Sequence, residues 1–175
     1  EEVCLLGARH VVENLSEKER QALVLMINID SIVTGDYLYA HAGPSTLDSH
    51  PHAAEIRDRA IAIAKVMGVE MRVNPGLHPD YAAGTGCCSD QAAFDAAGLP
   101  VVNFEATNWR LGELDGFQQT AVTEAFPEGE SWHSVHLDQL NHLEASLPAQ
   151  RLRQRPAQLV EILLRLLRPS ADLDG

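Results

Sequence analysis

The chain has 175 residues, 45% of them hydrophobic and 22% charged, which is the composition of a folding globular protein and not of a disordered or fibrous one. Its formal net charge of −12 argues against nucleic acid and anionic membranes as partners, since both call for clustered Lys and Arg. Three cysteines are too few to staple a small disulfide-rich domain, and no apolar run is long enough for membrane insertion.

In chain order, Leu5–Leu15 has apolar residues at helical spacing and predicts a short helix that Asn14 and Ser16 can stop. Ala22–Ile29 is a nearly continuous β-favouring run, suited to a parallel strand buried on both faces, and it leaves Asp30 at the strand's C-terminal end. Asp36–Ala42 reads as a second strand, and Ser45–Met67 as a helix closed by Gly68. Val69–Val73 is a short strand and 74–88 a Pro/Gly-rich loop. Asp90–Ala97 is a small helix ended by Gly98, and Leu99–Phe104 a further apolar strand. From Glu105 to Trp132 no period is sustained, so a long surface loop is expected, of the kind that carries function. His142–Leu167 closes the chain as one helix that Pro156 splits or kinks.

This alternation predicts an α/β fold, a mostly parallel or mixed central sheet with helices on both faces, in a single domain over residues 1–175. Ligands of such sheets bind beyond the C-terminal strand ends, where Asp30 and the segment opening at Glu105 lie. The residues that suit a zinc site are Glu1, Glu2, Asp30, His133, His136 and His142, because zinc accepts carboxylate oxygen and imidazole nitrogen. Each has an ordinary reading as well. Adjacent glutamates favour exposed helix starts, an aspartate after a strand caps the next turn, and a loop histidine needs no ligand.

The order of these features carries more weight than any one of them. Glu1-Glu2-Val3-Cys4-Leu5-Leu6-Gly7-Ala8, the strand end Asn28-Ile29-Asp30, Ser89-Asp90 before a helix, and Trp132-His133-Ser134 with Asp138 five residues after the histidine follow one another along the chain. In that order they resemble the two-zinc aminopeptidases secreted by bacteria. Pro75-Gly76, Gly84-Thr85-Gly86-Cys87-Cys88, Glu105-Ala106-Thr107-Asn108-Trp109 and Gly116-Phe117-Gln118-Gln119 extend the likeness over essentially the whole chain.

The resemblance implies a zinc-exopeptidase-like fold and an exported enzyme that removes residues from the N-termini of peptides or proteins. It makes Glu1 the general base, Glu2 a ligand of one zinc together with His133, and Asp30 a ligand of the other. Asp138 is expected to orient the His133 segment, and Glu105, with Glu1 and Asp30, to supply countercharge to the substrate ammonium. Acidic residues such as Glu113 and Asp115 extend this to a preference for basic N-terminal residues.

Departures from the family pattern bear on the chemistry. In the family a His-x-Asp motif upstream of the Glu-Glu pair supplies a histidine and the metal-bridging aspartate; here His78-Pro79-Asp80 and His136-Leu137-Asp138 have that spacing but lie downstream of Glu1-Glu2, so the chain is expected to be the C-terminal part of a zinc peptidase catalytic domain. Gln91 stands where the family has a histidine after Asp90, and Trp132 where many members have an oxyanion-binding tyrosine. The competing readings are a non-catalytic α/β binding domain, a glutaminyl cyclase on the same fold, and a cysteine hydrolase using Cys87 or Cys88 with His133.

Overall fold

The computed structural model describes residues 4–77, 80–86, 88–109, 124–126 and 133–168. Its elements in chain order are α1 (Leu6–Asn14), α2 (Glu17–Ala22), β1 (Met26–Asp30), β2 (Tyr37–Ala42), α3 (Pro51–Val66), β3 (Met71–Arg72), α4 (Gln91–Ala96), β4 (Val101–Thr107), α5 (Leu140–Ser146) and α6 (Arg151–Leu167). The strands form one sheet in the order β1-β4-β2-β3. β1 runs parallel to β4 and β3 parallel to β2, while β2 and β4 are antiparallel, so the sheet is mixed.

Alternation along the strands sends successive side chains to opposite faces. On one face Leu38, Ala40, Val102, Phe104 and Ala106 form the main core with α3 and α6, including Ala60, Ala64, Leu159 and Ile162. On the other, Val101 meets Ala8 and Val12 of α1 and Phe94 of α4, with Met26 packed alongside. Helices therefore cover both faces, as expected of strands this apolar.

Three elements differ from the sequence expectation. α2 fills a stretch to which no element was assigned, and β1 begins at Met26 and not at Ala22. Ser16 and Glu19 form a capping box, with Glu19 N donating to Ser16 Oγ at 3.3 Å and Ser16 N to Glu19 Oε2 at 2.8 Å. β4 continues to Thr107, so Glu105 belongs to a strand and not to a surface loop. The closing helix is two, broken at Leu147–Gln150 around Pro148. Pro156 sits inside α6 without ending it.

Candidate functional site

The face of the sheet under α1 and α4 changes character along its length. β1 and β4 pair in the register Met26 with Val101, Asn28 with Asn103, and Asp30 with Glu105. The first rung is apolar and packed, whereas the next two are amides and then carboxylates. β2 adds His41 opposite Asn103 and Tyr39 opposite Glu105 on the same face. The polar side chains thus gather where β1 and β4 end.

Asn28 is the hub of this region. Its Nδ2 lies 3.0 Å from Ser89 Oγ, 2.9 Å from Gln91 Oε1 and 3.0 Å from Asn103 Oδ1, joining β1 to β4 and to the start of α4. Asn103 Nδ2 in turn donates to Glu105 Oε2 at 3.3 Å, and Trp109 Nε1 to Glu105 Oε1 at 2.8 Å. His41 Nε2 stands 2.9 Å from the same Oε1, at ion-pair distance but off the line of a hydrogen bond. His41 is 0% exposed and Glu105 2%. Tyr39 stacks on His41, Trp109 meets that ring edge-on, and Tyr81 packs against Trp109. Gly86 is needed here, since a Cβ on it would come within 2.8 Å of the His41 ring. Burial, and then the Asp80 carboxylate, push the Tyr81 phenol above its ordinary value, so it stays un-ionised at neutral pH.

The half-buried Asp30 ends β1, and one of its carboxylate oxygens accepts a hydrogen bond from Ser31 Oγ at 2.9 Å. Asp90 precedes α4 as its N-cap without making a side-chain cap, and its Oδ1 is buried with no hydrogen-bond partner among the described residues. A separate open cleft of about 820 Å³ is lined by Cys4, Leu5, Cys88, His133, Ser134, Val135 and Asp138. It brings the chain just after Glu1-Glu2 together with the His133–Asp138 segment. Ser134 holds that segment as a turn, its carbonyl accepting from Asp138 N at 2.8 Å and its hydroxyl from Leu137 N at 3.2 Å.

Cys4, Leu5, Ser31, Cys88 and His133 are the non-glycine residues with positive φ among those described. Four of them line the cleft and the fifth follows Asp30. Backbone strain of this kind, costing of order 1–3 kcal/mol per residue, gathers at functional sites.

Glu1, Glu2, Trp132, Glu113 and Asp115 lie outside the described residues, and so does Cys87. Of the three histidines only His133 is in the cleft, while His142 of α5 faces Phe126 at 5.9 Å between ring centroids. Glu105 is buried and, like Asp30, is not among the described residues that line the cleft. Cys88 is disulfide-bonded, which removes it as a thiol nucleophile, and Cys4 is free. Among the described residues no group of three or more His, Cys, Asp or Glu forms a metal site. Asp30 and His133 nevertheless have the donor chemistry that zinc takes, a carboxylate oxygen and an imidazole nitrogen. The buried amide network around Asn28 was missed in the sequence; Asn28 and Asn103 in otherwise apolar strands were its only signal.

Comparison with known proteins adds three findings. The model of the Peptidase family M28 matches residues 1–154. The alkaline phosphatase isozyme conversion protein of Escherichia coli (strain K12) is 43% identical over 173 residues, 98% of this chain and 49% of that protein. The chain therefore spans about half the length of that relative. Two structures of BSAP, a zinc aminopeptidase from Bacillus subtilis, superpose with TM-scores of 0.54 and 0.55 at 22% and 20% identity. They cover 93% and 94% of this chain and 32% and 33% of theirs.

Proposed function

The chain belongs to peptidase family M28, and from that premise we propose that the full-length protein is a zinc-dependent aminopeptidase acting on the N-termini of peptides or proteins. The observation that carries this reading is the cleft in which His133 and Asp138 face the residues directly following Glu1-Glu2. The 43% identity with a protein whose name denotes conversion of alkaline phosphatase isozymes supports a proteinaceous substrate.

Glu2 and His133 would hold one zinc and Asp30 the second. Zinc, when bound, supplies a Lewis acid that lowers the pKa of water and polarises a carbonyl. Glu1, left unligated, takes the proton of the attacking water and delivers it to the leaving amine. Asp138, whose backbone N closes the turn on the Ser134 carbonyl, would orient the His133 segment from beside the metal. Glu1 and Asp30 supply the negative charge that holds the substrate's α-ammonium, and the acidic Glu113 and Asp115 favour a basic first residue. Export to the periplasm or medium is part of the same reading, supported by the disulfide at Cys88, since disulfides persist in oxidising compartments.

The test is hydrolysis of arginyl and leucyl anilides by the full-length protein and its Glu1→Gln variant. The expected result is arginyl turnover above leucyl, with the variant at least about 100-fold slower. Undiminished turnover in Glu1→Gln would sink the assigned base, and a leucyl preference the proposed specificity. Cyclisation of N-terminal glutamine without anilide hydrolysis would point to the cyclase chemistry instead. Neither reaction would leave a binding domain.

A further inference from the structure

We propose that Glu105 is a positioning residue for Asp30, a role that rests on Asp30 being a zinc ligand. The two are register partners at the end of β1 and β4, side by side on the same face of the sheet. Glu105 is locked there. Trp109 Nε1 holds Oε1 at 2.8 Å, Asn103 Nδ2 holds Oε2 at 3.3 Å, and the His41 ring stands 2.9 Å from Oε1 beneath them. The rung below is equally fixed, through Asn28 Nδ2 to Asn103 Oδ1 at 3.0 Å.

Burying a carboxylate is costly, and β4 fills other buried positions, such as Val101 and Phe104, with apolar side chains that carry no such cost. What a fixed carboxylate does do is act on its neighbour. Like charges on adjacent strand positions repel, so a pinned Glu105 disfavours Asp30 rotamers that lean over β4. Asp30 is then held off the sheet before any metal arrives, and a nearby negative charge favours a cation beside it. Outer partners of this kind typically change metal affinity about 10- to 100-fold when removed.

The experiment uses the full-length protein with Glu105→Gln, which keeps the shape and removes the charge, and Asp30→Ala as reference. Zinc stoichiometry and dissociation constants come from chelator competition. The visible spectrum of the cobalt-substituted protein reports ligand geometry, and circular dichroism of the zinc-free forms reports folding. The expected result is a folded Glu105→Gln protein whose zinc dissociation constant rises about 10-fold or more, with an altered cobalt spectrum. A merely structural Glu105 would change the unfolding midpoint and leave zinc affinity and spectrum as they are. Unchanged affinity in Glu105→Gln beside a lost zinc in Asp30→Ala overturns the positioning role and leaves Asp30 a ligand. Unchanged affinity in both overturns Asp30 as ligand and the positioning role with it. Should Glu105→Gln fail to fold, Trp109→Phe removes the donor on Oε1 but keeps the charge. A dissociation constant equal to wild type in that variant overturns the proposal, and a rise of several-fold supports it.

Discussion

Asp95 shows how much a single buried carboxylate can hold. It lies on α4 and accepts from Ser45 N at 3.0 Å, Thr46 N at 3.0 Å and Thr46 Oγ1 at 2.7 Å, tying the loop after β2 to the helix that follows Asp90. Replacing it with alanine leaves the two buried Thr46 donors and the part-buried Ser45 N without their acceptor, so Asp95→Ala is expected to lose about 3 kcal/mol of stability in urea unfolding. A loss within about 0.5 kcal/mol, the size of an ordinary surface substitution, would show that the loop finds other partners. Single residues were also where the sequence spoke unevenly. Asp30 was readable, because a carboxylate closing an apolar run stands out. Asn28 and Glu105 were named through motif order, but what they bind was not readable: the partners of Asn28 lie 61 to 75 positions away, and Glu105 is placed by a register that no local pattern encodes.

At the scale of elements, local signals succeeded where one segment decides its own structure. α1, β2, α3 and α4 follow from periodicity and from Gly68 and Gly98, both at positive φ after their helices. α2 was missed although its capping box was present in the sequence, because the apolar run beginning at Ala22 outweighed a short charged helix. That box sets a test: Ser16→Ala should cost about 1 kcal/mol, measured by thermal unfolding, whereas Lys18→Ala in the same helix should be close to neutral. Equal effects would mean that α2 does not depend on its cap. The end of β4 and the break between α5 and α6 are tertiary outcomes. β4 extends to Thr107 because β2 offers partners as far as Tyr37. α6 starts after Pro148, and Arg155 on its buried side donates to the carbonyls of Gly35 and Asp36. Burial, followed by repulsion from Arg151, lowers the Arg155 guanidinium to about 10, against the attraction of Asp36, and it remains charged at neutral pH.

Across the whole molecule, the mixed sheet sets β1 at one edge, with Ile29 49% exposed beside Asp30. The described residues include no helix long and apolar enough to cross a membrane. A polar sheet end, an open cleft with His133 and strained backbone at both go beyond what packing requires. The fold class was legible because α/β alternation is a property of the whole chain, whereas the proposed ligand set rests on the order of short motifs. The most direct measurement is zinc content and aminoacyl-anilide hydrolysis of the full-length protein, before and after chelation and after zinc is returned. Bound zinc, turnover lost with the metal and turnover restored by it are the expected results. Hydrolysis that persists in the zinc-free protein would contradict zinc dependence.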